Sequence, residues 1–294
     1  MAKDICCVGH ITRDHIITPD NDFFLSGGTS FYFSYALRAL GCENFSLVTS
    51  LASSDMEVVH TMRRAGIEVE VIPSRETVFF ENRYGENMNN RTQRVLAKAD
   101  PFSPQALTPV DARFVHLGSL LADDFSPEVI KSLSERCTLS VDAQGFLRYV
   151  SGDKVLPCDW DNKREVFPYI HILKVNECEI KALTGTDDAV KAGEILTGWG
   201  IKEALITLGS YGSVIYSEGK HYNIPAYRPR ALVDATGCGD TYAAGYLYKR
   251  ALGAGIEESG NFAAALSSLK LAKIGPFNGS LADVEEVLAS KQTL

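Results

Sequence analysis

What the 294-residue chain lacks narrows its class before any motif is read. No uncharged apolar run approaches the roughly 18 residues that a membrane-crossing helix needs. The start, Met1-Ala2-Lys3-Asp4-Ile5-Cys6-Cys7-Val8, passes straight into a strand-like run. It shows neither the apolar centre nor the small-residue cleavage site of a secretory leader, so a cytoplasmic protein with no membrane partner is expected. Positive charge is scarce as well: 37 acidic residues against 29 basic ones give a formal net charge of -8. Nucleic-acid binders usually carry a basic stripe, and the densest basic stretch, Arg83 to Lys98, is diluted by Glu86 and several asparagines. No nucleic-acid partner is expected.

Paired metal ligands are also missing. The seven cysteines are odd in number and contain no Cys-x-x-Cys pair. The six histidines form no His-x-x-x-His set, and His10 with His15 is the closest pair. Zinc sites and disulfide frameworks need regular paired spacing, so the cysteines are expected to be reduced, mostly buried small hydrophobes. The phosphate loop Gly-x-x-x-x-Gly-Lys-[Ser/Thr] is absent, because Gly212 to Lys220 has the wrong spacing. No Gly-x-Gly-x-x-Gly turn is present either, because Gly245 comes too late after Gly237 and Gly239.

What is present is a foldable, regularly alternating chain. With 45% apolar and 10% aromatic residues it is too apolar for disorder and long enough to bury a full core. Ile5–Val8 reads as a strand buried on both faces, and Phe31–Leu40 as a helix stopping at Gly41. Phe45–Thr49 is an expected strand, Asp55–Arg64 a helix and Ile67–Ile72 a strand. Two polar pieces, Thr77–Arg83 and Arg91–Lys98, read as a hairpin joined through Tyr84–Asn90. It is expected to pair with Ile11–Leu25 as a small sheet, a lid or dimer surface built from about 11–25 and 77–99.

Strands at Arg113–Leu117, Thr138–Val141, Ile172–Val175 and Ala204–Leu208 then alternate with helices at Pro127–Arg136, Glu165–Tyr169, 177–183 and 188–198. A hairpin, Ser213–Tyr216 with His221–Ile224, leads to helices at Thr241–Leu252, Ile256–Lys273 and Asp283–Leu288. Such alternation implies one α/β domain over 1–294, a three-layer α/β/α arrangement around a mostly parallel sheet. Ligands of these sheets bind beyond the carboxyl ends of the strands, so site residues are expected in the turns that follow them.

Four such turns carry chemistry. The first is Asp234-Ala235-Thr236-Gly237-Cys238-Gly239-Asp240, which precedes a small-residue helix. Gly237, Cys238 and Gly239 leave backbone N–H groups uncovered at a helix N-terminus, which is an anion site. A carboxylate at Asp240 would repel a bound phosphate, and makes better sense as a base for a hydroxyl attacking that phosphate. An isolated Gly-x-Gly-Asp would more often be an ordinary helix entry with Asp240 as its cap. Asp234 and Thr236 make this one more specific. In the second, Lys174-Val175-Asn176-Glu177-Cys178-Glu179, Asn176 and Glu179 fit a capping box, and the same oxygens suit a water-mediated magnesium contact. The third, Thr207-Leu208-Gly209-Ser210-Tyr211-Gly212, is a strand-to-hairpin turn able to hold phosphates. The fourth pairs Asp14, just past the first strand, with Gly27 and Gly28, where hydroxyls of a substrate would find an acceptor and open backbone N–H groups.

Together and in this order the four segments resemble the ribokinase-like (PfkB) family of small-molecule kinases, from Gly9 to about Gly275. The resemblance implies a catalytic base at Asp240 and an anion hole at Gly237, Cys238 and Gly239. It implies ATP held by Lys174, Asn176, Thr207, Gly209 and Gly212, and magnesium near Asn176 and Glu179. Asp14, Gly27 and Gly28 correspond to the sugar-binding end, and Asp234 with Thr236 to a monovalent-cation site, potassium in the first instance. Ala235 and Cys238 replace a common Thr and Ala, both by small side chains. Tyr32 stands where sugar kinases often carry an Asn. The runs Arg94-Val95-Leu96 to Asp100-Pro101 and Asp142–Arg148 look similar to the myo-inositol kinase branch, which implies Arg148 as a contact to substrate or phosphate, the alternative being an ordinary surface arginine. The expected function is an ATP-dependent kinase of a small polyol, a sugar or cyclitol, working as a homodimer. Two alternatives remain: a nucleoside kinase with a slot lined by Phe23, Phe24, Phe79 and Phe80, or a ligand-binding regulator that does no catalysis.

Overall fold

The computed structural model describes residues 2–84 and 91–294, so the turn expected at Tyr84–Asn90 lies, apart from Tyr84, outside the described residues. The chain runs β1 (Lys3–Gly9), β2 (Thr12–Ile17), β3 (Asp22–Gly27), α1 (Thr29–Ala39), β4 (Phe45–Leu51), α2 (Met56–Arg64), β5 (Val69–Pro73), β6 (Val78–Tyr84), β7 (Arg91–Ala97) and β8 (Ala112–Gly118). It continues α3 (Pro127–Ser134), β9 (Thr138–Asp142), β10 (Arg148–Ser151), β11 (Lys154–Pro157), α4 (Lys163–Val166), β12 (Ile172–Asn176), α5 (Glu177–Thr184) and α6 (Ala189–Gly198). The last elements are β13 (Glu203–Thr207), β14 (Ser213–Ser217), β15 (Lys220–Ile224), α7 (Cys238–Ala251), α8 (Ile256–Lys270) and α9 (Leu281–Ser290).

A nine-stranded sheet has the order β15-β14-β13-β12-β9-β8-β1-β4-β5. From β13 to β5 every pairing is parallel, and the β14–β15 hairpin closes one edge antiparallel. Alternation along β1 explains the three layers. Ile5 and Cys7 join the apolar cluster under α1, α7 and α8, while Cys6 and Val8 join the cluster under α3, α5 and α6. The chain leaves β1 toward β4 on one side and returns at β8 on the other. That reversal opens a crevice at the carboxyl ends of the central strands.

A second sheet, β10-β11-β7-β6-β2-β3, contains the expected hairpin and the early segment, with β2 parallel to β6. Its β10–β11 edge was not expected from the sequence. That hairpin is four residues a strand and half-exposed, too short for its alternation to stand out. Helix α7 begins three residues earlier than expected, so Cys238, Gly239 and Asp240 form its first turn rather than a preceding loop. The cysteines are free, but only Cys6 and Cys7 are fully buried and Cys178 is exposed.

One buried clamp ties α7 to the sheet. The Tyr246 hydroxyl donates to Glu203 Oε2 at 2.6 Å, and Arg250 Nη2 donates to Glu203 Oε1 at 2.5 Å. Removing the carboxylate leaves the buried Tyr246 hydroxyl without its acceptor, while Arg250, part-exposed, still reaches water. Glu203→Ala is expected to cost about 2 kcal/mol of stability, as for a buried polar group left unpaired, read as a lower denaturation midpoint at unchanged m-value.

Candidate active site

The crevice is floored by strand ends that carry polar residues where the apolar runs stop. Lys174, on β12, donates from Nζ to Asp142 Oδ2 of β9 at 2.9 Å, and both side chains are buried. Burial alone would lower the lysine pKa. The carboxylates of Asp142, Glu179 and Asp240 outweigh it and hold the ammonium above its ordinary range.

Asp240 comes to the same place from the first turn of α7. Gly237 caps that helix with φ of 74°, a left-handed conformation that favours glycine, and among the described residues no side chain caps it. The N-terminal dipole is therefore left for a ligand. A Cβ on Gly239 would stand 2.6 Å from Lys174 Nζ, so the bare helix turn and the ammonium form one cradle for anionic oxygens. Burial raises the Asp240 pKa from 3.8 to about 6, Asp142 adds to the rise, and Lys174, a hydrogen bond from Thr29 and Arg148 oppose it. Burial pushes the Cys238 thiol up to about 12, which disfavours its thiolate.

Thr29 reaches Asp240 because α1 enters over glycines. Gly28, with φ of 91°, leaves its missing Cβ only 2.3 Å from His10 O, and a Cβ on Gly118 would meet Thr29 Cγ2 at 2.5 Å. Asp14 stands beside this entry on β2, its Oδ2 2.4 Å from where a Gly27 Cβ would be. Arg148 opens β10, and its charge is felt by both Asp240 and Glu179. The smaller sheet thus brings Asp14 and Arg148 to the crevice that holds Asp240 and Lys174.

Asn176 and Glu179 make the capping box in full. Asn176 Oδ1 accepts from the N–H groups of Cys178 and Glu179, and Glu179 accepts from Asn176 N at 2.9 Å and Nδ2 at 2.8 Å. The local capping reading is realised in full. Burial raises the Glu179 pKa, and Lys174 opposes that. Among the described residues no group of three or more His, Cys, Asp or Glu is arranged as a metal cage. Magnesium needs only one or two carboxylates when it keeps its waters and shares phosphate oxygens, and Glu179 fits that mode.

Thr207 ends β13 beside this motif, its hydroxyl donating to Val175 O at 3.2 Å, and Gly209 opens the turn that follows. Gly212 answers to the hairpin instead, since a Cβ there would lie 2.1 Å from Ile224 O. The monovalent-cation expectation at Asp234 and Thr236 is corrected. Asp234 O and Oδ2 each accept from Lys270 Nζ at 2.9 Å, and Asp234 Oδ1 takes the Thr236 N–H. Those oxygens are committed to an ammonium of the chain itself, and an added ion does not fit.

Sequence reasoning gave no role to Thr29, Asp142 or Lys270. The signals were a threonine right after Gly-Gly, a charge ending the buried run Thr138–Asp142, and a lysine on the buried stripe Ala263, Leu266, Lys270. Tyr32, at the place of a substrate-binding Asn, is buried against Gly237, where a Cβ would strike its ring at 2.2 Å.

A cytidine kinase of Thermococcus kodakarensis is 24% identical over 87% of this chain and 91% of its own. A sulfate complex of a pyrophosphate-dependent kinase in the ribokinase family superposes with a TM-score of 0.87 at 29% identity, covering 96% of this chain and 99% of that one. A complex of such a kinase with a pyrophosphate analogue and myo-inositol gives 0.86 at 29% identity, with the same coverage. The model of the pfkB family of carbohydrate kinases matches residues 54–282, well over half the chain, and the chain belongs to that family.

Proposed function

We propose that the chain transfers the terminal phosphoryl group of ATP to a hydroxyl of a small polyol, a sugar or a cyclitol such as inositol, with Asp240 as general base. The observation that carries this reading is Asp240 itself. A carboxylate poised near 6 stands on a bare helix N-terminus with Lys174 against it. In the proposed step the acceptor hydroxyl gives its proton to Asp240 while its oxygen bonds to the γ-phosphorus. The bond to the β–γ bridging oxygen breaks, and ADP leaves. Lys174 and the first-turn amides of α7 draw charge from the phosphoryl oxygens. Thr29 fixes the Asp240 carboxylate, and Asp14 and Arg148 orient the acceptor. Glu179 would hold a magnesium ion, which would supply charge neutralisation to the phosphates.

Strand parity favours a polyol over a nucleoside. Pairing along β2, β3 and β6 puts Thr12, Asp14, Phe23 and Phe80 on one face of the smaller sheet. Phe24 and Phe79 fall on the other face, where Arg13 lies over both rings at 5.0 and 4.8 Å. The four phenylalanines therefore do not line one slot. The nucleoside reading keeps the support of the cytidine kinase similarity. For the donor, pyrophosphate is the second reading, favoured by the 29% identical pyrophosphate-dependent structures.

The test is product formation from sugars, inositols and nucleosides with ATP or pyrophosphate and magnesium. ADP release on a polyol supports the proposal. Consumption of pyrophosphate alone moves the donor assignment, turnover of nucleosides alone moves the acceptor, and donor binding without any turnover favours the regulator. Asp240→Asn is expected to lower kcat at least about a hundredfold with donor KM little changed.

The pH dependence has a definite sign. As a base Asp240 must be ionised, so kcat/KM for the acceptor is expected to fall below a midpoint near 6, the value in the free protein. Because folding raises this pKa, the group's contribution to stability is fully present below 3.8 and lost as pH rises through about 6. Melting curves of Asp240→Asn are therefore expected to lie above wild type at neutral pH, with the gap closing in acid.

A further inference from the structure

Lys270 is the last residue of α8, and its side chain is wholly buried. Its ammonium donates to Asp234 O and Asp234 Oδ2, both at 2.9 Å, and to Lys273 O at 3.4 Å. The Tyr32 ring stands 5.8 Å away as a further wall. Two carbonyl oxygens, one carboxylate oxygen and a ring face enclose a single positive charge with no water contact. That is the donor set a potassium ion would seek, and an ammonium group is close to potassium in size. We infer that Lys270 serves as a built-in monovalent cation, a positioning residue that fixes the loop before α7 and spares the chain an added ion.

The loop is short and every link is visible. The N–H groups of Val233 and Asp234 donate to Leu271 O at 2.8 and 3.2 Å, so the chain enters the loop tied to the end of α8. Lys270 then holds Asp234 by both backbone and side chain. Asp234 Oδ1 holds the Thr236 N–H at 2.9 Å, and Ala235 O takes the Cys238 N–H at 3.2 Å. Ser267, one turn before Lys270, donates to Cys238 O at 3.2 Å. From Cys238 the first turn of α7 carries Gly239 and Asp240. Such a buried ion pair is weak as a source of stability, since apolar residues of equal volume often do as well. What it supplies here is fixed geometry at the helix entry. The charge balances without a soluble ion because Asp234 is its counter-charge.

The kinetic arm of the test rests on the phosphotransfer reading, whereas the melting arm needs no turnover and separates the two. Wild type and Lys270→Ala are melted and assayed in potassium chloride and in choline chloride at equal ionic strength. Wild type is expected to melt and turn over equally in both salts. Lys270→Ala in choline is expected to lose about tenfold or more in kcat, as for lost supports of a charged site, with acceptor KM unchanged. Potassium restores both its melting temperature and its kcat, a recovery that a merely structural lysine would not give. A wild type stabilised or activated severalfold by potassium overturns the inference, and this arm needs no variant. So does a Lys270→Ala protein that potassium fails to restore, whether it folds or not. If no acceptor is turned over, the melting curves alone decide.

Discussion

The buried ammonium of Lys174 is the charge on which the crevice depends, because three carboxylates lean on it at once. Asp142 bonds it directly, and Glu179 and Asp240 feel it through space. Without a central cation, three acids gathered at the ends of buried strands would take up protons or push apart. With it, each answers differently. Asp142 is spent as the direct partner, Glu179 stays bound to its capping box, and Asp240 remains the acid whose proton affinity lies near neutrality. The site thus sorts similar groups into separate tasks through placement alone.

Close approach is the second constraint, and small residues supply it. The α1 entry lies on the ends of β1 and β8, where a Cβ on Gly9 would meet Gly118 O at 2.7 Å and one on Gly118 would strike Thr29. Two helix N-termini, those of α1 and α7, can then face one another across Asp240. Tyr32 extends the same logic. Its ring fills the space above Gly237 and completes the enclosure of Lys270, so packing and loop geometry meet in one side chain.

Much of this was legible in the order of residues. Buried parallel strands announce themselves as unbroken apolar runs such as Ile5–Val8, and the Gly237-Cys238-Gly239-Asp240 turn carries its chemistry in consecutive positions. The β10–β11 hairpin was hidden because four half-exposed residues a strand give no readable period. Partners far apart in sequence were hidden for another reason. Asp142 and Lys174 are 32 residues apart, and Asp234 and Lys270 are 36 apart. Nothing local distinguishes a lysine that will be buried against a carboxylate from one that will be solvated. The cation expectation failed at that point, because the residue occupying the loop's oxygens comes from another helix.

Asn176 and Glu179 show how a capping motif can hold a carboxylate within reach of a buried charge. Two bonds of the capping box satisfy N–H groups in the first turn of α5, a third takes the Asn176 N–H, and a fourth ties the two side chains together. The same bonds fix the Glu179 carboxylate where the Lys174 charge acts on it. A cap substitution would cost about 1 kcal/mol of helix stability whether or not the site is used. Activity lost at Asn176 therefore says little about metal binding. Asp240 differs, because among the described residues no side chain caps α7 and its carboxylate rests on Thr29 and nearby charges. The helix does not need that carboxylate as a cap, so a substitution at Asp240 leaves the α7 entry intact and acts on the charge balance around Lys174.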